Sequence, residues 1–278
     1  PVLIKNYLPT MNRSEIFLVM VSGMGTIAGS VMGTYIGMLG GTDPAAKVLF
    51  ATHLLSASVM AVPGSIVLAK MLCPQTEEAT DHVAISGKEK ENSNILDAIS
   101  SGTVTGVKLM TNIAAMLLVF ISLVALANYI TEGVIGRYTG LNDWIVKITD
   151  GKAQGLTFQF ILGVITSPFM WLIGVPSQDI MLVGSLLGQK TILNEFVAYF
   201  QLQQWKDAGL FMYEKSILMS TYILCGFANI SSIGILLGGL GVLAPEKRGL
   251  SSRIGVPAMI GGALVSVLSA TIIGMILG

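Results

Sequence analysis

The chain has 278 residues, of which 53% are hydrophobic and 12% charged. A soluble globular domain carries roughly 25% charged residues. This chain therefore lacks the polar surface to cover itself in water, and an integral membrane protein is expected. Its 16 basic and 16 acidic residues cancel, which removes the electrostatic case for nucleic acid as a partner.

The first residues, PVLIKNYLP, read as the middle of an element, so an upstream part of the protein is expected. Charge-free runs then serve as a ruler, because a spanning helix needs roughly 20 apolar residues. They are Ile16–Thr42, His53–Ala69, Thr111–Thr131, Ala153–Gln178, Ser216–Pro245 and Ile254–Gly278. The polar stretch Pro74–Ser93, which holds His82, reads as a solvated loop, and Asn94–Lys108 as an amphipathic surface helix. The run Ala153–Gln178 carries Pro168, Trp171 and Pro176, which fits a helix at the membrane interface. Asp179–Leu202 has two apolar arms too short to span, around GQKTILNE. That pattern predicts a re-entrant hairpin whose polar tip is buried in protein or lines a wet cavity. The basic cluster Lys247, Arg248 and Arg253 places the loop Glu246–Arg253 in the cytoplasm. The cysteines, Cys73 and Cys225, form neither a disulfide framework nor a metal motif.

Ser216–Pro245 is long enough to cross a bilayer, yet its centre reads CGFANISSIGILLGGLG. The window Val21–Gly33, VSGMGTIAGSVMG, has the same character, with Gly23 against Gly226, Thr26 against Asn229 and Ile27 against Ile230. Under the orientation above the two copies run in opposite directions, as inverted repeats in secondary transporters do. Glycine and serine let a helix unwind at mid-membrane, where freed carbonyls and amides can hold a substrate or cation. Close helix packing explains the same small residues. Gly238, Gly239 and Gly241 fit packing, whereas Asn229, Ser231 and Ser232 fit a site, because an amide in hydrocarbon needs a partner.

Glu195 stands out as an acid among Leu193, Phe196 and Val197. A carboxylate in the membrane costs roughly 2.5–3.5 kcal/mol on insertion scales and marks function by default. The competing reading is a structural ion pair with Lys190 on the same tip. His53, near a helix start, fits a satisfied interfacial group better than a proton relay.

These segments resemble the concentrative nucleoside transporters. SEIFLVMVSGMGTIAGSVMGTY, HLLSASVMAVPGSIVLAK, LLGQKTILNEFVAY, CGFANISSIGI, GGLGVLAPEKR and SATIIGMIL occur in that family's order and together cover essentially the whole chain. The resemblance implies an all-α integral membrane protein with inverted repeats, broken transmembrane helices and re-entrant hairpins. It implies an inner- or plasma-membrane, multi-pass homotrimer with no catalytic cofactor, which takes up nucleosides with Na+ (or H+) by an elevator-like movement. It divides the chain into a returning arm of a first hairpin (1–13), a transport part with a broken helix and a spanning helix (14–73), and a cytoplasmic loop with an amphipathic helix (74–110). A scaffold helix (111–131) contacting trimer partners, an outer loop with an interfacial helix (132–178), the second hairpin (179–204), the second broken helix (215–245) and a last spanning helix (250–278) follow.

By the same resemblance Glu195 binds the ribose hydroxyls, Asn229 and Ser232 supply further ribose contacts, Phe227 is an aromatic wall and Val31 touches the base. Thr26 and the carbonyl of Ile27 form part of a sodium site; Asn194, Gln189 and Ser231 are further candidates beside these positions in the sequence. The family's first-hairpin tip, a Gly-Gln-Thr/Ser-Glu stretch, would lie just before Pro1. Ile230 departs from the phenylalanine common there and leaves base preference open. A transporter of similar architecture for another polar solute, such as a dicarboxylate, would need a cation at the site, and Lys190 is the one candidate. A membrane hydrolase fails on content, since the chain holds only 2 histidines and no His–Glu–X–X–His pattern.

Overall fold

The computed structural model describes residues 7–77, 94–149, 151 and 153–278. The first six residues of the expected hairpin arm 1–13, and residues 78–93 of the polar loop with His82, lie outside them. Among the described residues every regular element is helical. The chain divides into two units, Pro1–Val83 with Gln159–Gly278, and Ala84–Phe158.

In the larger unit, α1 (Arg13–Gly25) opens on a capping box. Glu15 N donates to Asn12 Oδ1 at 3.0 Å and Asn12 N to Glu15 Oε2 at 2.9 Å, which satisfies two orphan donors of the first turn. The helix stops at Gly25, the backbone turns extended at Thr26, and α2 runs over Gly29–Gly40. The long helix α3 (Pro44–Leu72) begins with Pro44 behind the Asp43 cap, where a missing N–H costs nothing. After α7 (Phe158–Leu172), α8 (Ile180–Ile192) and α9 (Glu195–Asp207) form a helical pair separated only by Leu193–Asn194. Then α10 (Glu214–Leu224) and α11 (Ile230–Leu243) repeat the pattern of a helix stopped and restarted. A short 3₁₀ turn at Pro245–Lys247 leads into α12 (Arg248–Ile276).

Two cores hold this unit together. Ile16, Phe17, Met20, Val21 and Met24 of α1 pack with Leu236 and Leu240 of α11 and Ile254, Ala258 and Val265 of α12. Tyr35 and Leu39 of α2, Phe50 and Leu54 of α3, and Val183 and Leu186 of α8 pack with Tyr199 of α9 and Tyr222–Leu224 of α10. Helix α8 is buried from Leu182 to Lys190 without a solvated face, as a short helix enclosed by others must be. The periphery is the reverse of a soluble protein: Val48 (67%), Val59 (70%), Val62 (55%) and Met71 (71%) lie open along α3. Contiguous apolar exposure on this scale marks a surface meant for lipid or protein. Pro44–Leu72 and Pro245–Ile276 are long and apolar enough to cross a membrane.

The two interruptions cross each other backbone against backbone. A Cβ on Gly226 would stand 2.8 Å from the carbonyl oxygen of Gly25, and Gly226 itself has φ +127°. Only glycine meets both conditions without strain. From the other side α12 presses Gly262 into the crossing, where a Cβ would lie 2.8 Å from Met24 and 3.3 Å from Ala228.

The smaller unit corrects one expectation. The amphipathic stretch 94–108 and the apolar run 111–131 were expected as separate elements, but Ile95–Asn128 is one helix, α4. Asn94 caps it through Asp97 N at 2.9 Å. No proline follows to remove a backbone donor, so nothing stops propagation at the change of polarity near Lys108. The helix runs on into a π-helical segment, Tyr129–Gly136, followed by α5 (Arg137–Thr139) and α6 (Leu141–Ile148). Asn142 ties the turn together, donating to Glu132 O at 3.0 Å and accepting from Leu156 N at 3.0 Å.

Gly226→Ala should destabilise the purified protein in thermal unfolding by about 1–3 kcal/mol, the scale of a strained backbone conformation. Gly234→Ala, whose added Cβ meets nothing within 4 Å, should leave the unfolding transition unchanged or slightly raised.

Candidate functional site

The second interruption is organised by Asn229. As N-cap of α11 its Oδ1 accepts from Ser232 N at 2.8 Å and from Ser231 Oγ at 2.6 Å, while Asn229 N donates to Ser232 Oγ at 3.1 Å. A cap of this kind is worth about 1 kcal/mol. It also spends the carbonyl end of the side chain on the helix and leaves the amide end facing away. That end finds the acid: Asn229 Nδ2 donates to Glu195 Oε2 at 3.1 Å.

Glu195 is held by equally local rules. Asn194 caps α9, accepting from Val197 N at 2.9 Å. The carboxylate therefore stands in the first turn, where the helix dipole favours negative charge. Its second partner was not foreseen from the sequence. The Tyr35 hydroxyl of α2 lies 3.5 Å from Glu195 Oε1. The Tyr35 ring stacks on Tyr199, with centroids 4.1 Å apart and planes at 22°, and lies 6.1 Å from Phe196. The available signal was a lone tyrosine inside the charge-free run Ile16–Thr42. Residues from α2, α9 and α11 thus converge on one carboxylate.

Other expected residues fall around this cluster. Val31 and Ile27 are partly buried and pack against the core that contains Tyr35. Thr26 and Ile27 form the extended link after α1, and Thr26 Oγ1 donates to Ser22 O at 2.9 Å. Phe227 is partly buried in the second interruption and makes no ring contact among the described residues. Gln189 is buried and donates to Ser185 Oγ at 3.2 Å within its own helix, so no bond joins it to Glu195. Ala28 is the N-cap of α2 and Asn229 that of α11.

The ion pair between Glu195 and Lys190 does not form. Lys190 is in the last turn of α8 and points to α10, donating to Ile223 O at 2.7 Å and to Ser266 Oγ at 3.1 Å. His53 Nδ1 lies 3.1 Å from the Tyr222 hydroxyl, a partner within the core.

The Glu195 carboxylate, with its amide and phenol donors, lies beside the two crossed helix interruptions. The class of the protein is that of membrane transporters, which the family match gives. The model of the Na+ dependent nucleoside transporter C-terminus matches residues 53–274, and the chain belongs to that family. It is 38% identical over 281 residues to an uncharacterized transporter of Haemophilus influenzae, covering 100% of this chain and 62% of that protein. Sodium/nucleoside cotransporter 1 of Rattus norvegicus is 38% identical, covering 99% of this chain and 41% of its own length. Nucleoside permease NupC of Helicobacter pylori is 36% identical over 280 residues, 100% of this chain and 61% of the permease. The chain therefore spans less than two thirds of these relatives. Among solved structures, CNTnw in an inward-facing substrate-bound state superposes with a TM-score of 0.83 at 36% identity, covering 99% of this chain and 60% of that one.

Asn229→Ala removes the cap and strands Glu195, so the protein should lose about 1–2 kcal/mol in chemical or thermal unfolding. Asn229→Ser restores the cap alone and should recover about half of that loss.

Proposed function

We propose that the complete protein takes up nucleosides across the inner or plasma membrane, driven by a cation gradient, with Na+ as the coupling ion. The observation that carries this reading is the Glu195 carboxylate, joined to Asn229 at 3.1 Å beside the crossed interruptions. An ionised carboxylate accepts two hydrogen bonds from vicinal hydroxyls, which a ribose offers. Asn229 both donates and accepts, and Ser232 stands next to it. Phe227 and Val31 supply apolar walls for the base. Asn194 and Ser231 hold Glu195 and Asn229 in place through the cap of α9 and the Asn229 side-chain carbonyl, and Gln189 is bonded to Ser185 within α8. The carboxylate repels a phosphate, so free nucleosides are favoured over nucleotides. Thr26 and the carbonyl of Ile27 offer hydroxyl and carbonyl oxygens suited to sodium.

Support for the substrate and the ion comes from the relatives named as sodium/nucleoside cotransporters. Alternating access by an elevator-like movement draws support from CNTnw, at 35–36% identity, which has been captured in outward-facing, intermediate and inward-facing states. The multi-pass topology, opposed repeats, re-entrant α8–α9 hairpin and homotrimeric assembly of this reading follow the family resemblance. The exposed apolar face of α4, with Leu118, Val119, Leu123 and Leu126 open, suits contact with a neighbouring copy. A carboxylate-bearing solute is disfavoured: Lys190, the one candidate counter-charge, is fully buried and engaged by Ile223 O and Ser266.

Vesicles containing the complete protein should accumulate labelled uridine when sodium is higher outside and should not do so under equal sodium. Glu195→Ala should lower uptake by about 100-fold, the equivalent of two charged hydrogen bonds at about 1.5 kcal/mol each. Unchanged uptake in Glu195→Ala contradicts the reading.

A further inference from the structure

Where α10 stops at Leu224, the carbonyls of its last turn lose their helical N–H partners. Each that is replaced is replaced differently. Thr221 O accepts from the Tyr199 hydroxyl at 2.8 Å, and Tyr222 O from Cys225 N at 3.1 Å. Ile223 O accepts from Lys190 Nζ at 2.7 Å. Cys225 O accepts from Ser266 Oγ at 2.8 Å, and Ser266 is itself bonded to Lys190. An ammonium on α8 and a hydroxyl on α12 thus close the negative end of a half-helix.

Lys190 is 0% exposed, on a helix enclosed on all sides, and among the described residues no carboxylate lies within ion-pair distance of it. A lysine so buried is costly in a membrane protein unless something replaces its water. Here the replacement is a helix C-terminus, whose dipole end favours a cation, together with free carbonyl oxygen. Those are the groups with which interrupted helices hold sodium. The first interruption lacks such a device. There Ser22 O accepts from Thr26 Oγ1, and among the described residues no lysine or arginine bonds a carbonyl from Gly23 to Ile27.

We propose that Lys190 is a tethered cation built into the second interruption. It is a positioning residue that takes the place a free ion takes at such carbonyls, so that only the first interruption recruits a soluble cation. Its reach from α8 to α10 also fixes the α8–α9 turn, and with it Glu195, to the interruption that presents Asn229. The proposal rests on the cation-coupled reading above and adds to it a reason why the ion is exchanged at the first interruption and not at the second.

The test uses the complete protein in vesicles and compares sodium activation of uridine uptake in wild type, Lys190→Arg and Lys190→Met. Lys190→Met should need about tenfold more sodium for half-maximal uptake. Its Hill coefficient should rise from about 1 toward about 2 as a second ion enters the vacated carbonyls. Lys190→Arg, which keeps the charge, should stay within about twofold of wild type. A Lys190→Met protein with the sodium dependence of wild type overturns the proposal. Thermal unfolding in detergent gives a readout free of transport. Replacing potassium chloride by sodium chloride should raise the melting temperature of Lys190→Met more than that of wild type, and equal shifts overturn the proposal. If Lys190→Met is not recovered folded, Lys190→Gln, which keeps a donor without the charge, is carried through both measurements. If wild type takes up no uridine on a sodium gradient, the transport reading falls, and the unfolding comparison still decides the role of Lys190.

Discussion

A carboxylate taken out of water must be given donors, and that requirement shapes the centre of this protein. Glu195 cannot be satisfied by its own helix alone. It draws the amide of Asn229 from the second interruption and the hydroxyl of Tyr35 from α2. Neither donor is free to be elsewhere. Asn229 is oriented by its cap on α11, and Tyr35 is stacked on Tyr199 with Phe196 6.1 Å away. The geometry of the site is therefore a consequence of local capping and stacking. For the proposed solute, donors held in this way keep the ordering cost of binding low.

The same economy governs the backbone around it. Two helices that stop within the protein expose carbonyls and amides that the bilayer cannot hydrate. At the start of α11 the side chains of Asn229 and Ser232 cover them, and at the end of α10 Tyr199, Lys190 and Ser266 do. Gly25 and Gly226 bring the interruptions into contact, so that one small region holds both sets of unwound backbone. Small residues serve packing and chemistry together here, because the approach that packs the helices also gathers the polar groups. Toward the outside the logic inverts, and valines and leucines face outward along α3 and α4.

Much of this could be read in the residues. Polar and glycine-rich centres in charge-free runs announced the interruptions near Gly25 and Gly226, because nothing else explains Asn229 in the middle of an apolar stretch. The polar tip GQKTILNE announced the turn between α8 and α9, and its isolated acid singled out the residue that Asn229 and Tyr35 reach. What the residues did not show are contacts between distant parts of the chain. Tyr35 is one hydroxyl among many apolar neighbours, and only the fold brings it to an acid 160 positions away. Lys190 seemed a natural partner for Glu195 by proximity in sequence, but the last turn of α8 points it at α10. The continuity of α4 was hidden for a different reason: a change from amphipathic to uniformly apolar looks like a boundary, yet polarity does not end a helix when every residue can continue it.

The account stands or falls on Glu195 and Asn229 acting as one unit on the solute. A double-mutant cycle on uridine affinity measures this directly, using the complete purified protein with Glu195→Gln, Asn229→Ala and the combination, in sodium. Shared contact with one sugar predicts strong non-additivity, with the second substitution costing at least about 1 kcal/mol less in the presence of the first. Additive losses, or affinities unmoved by either substitution, would contradict it.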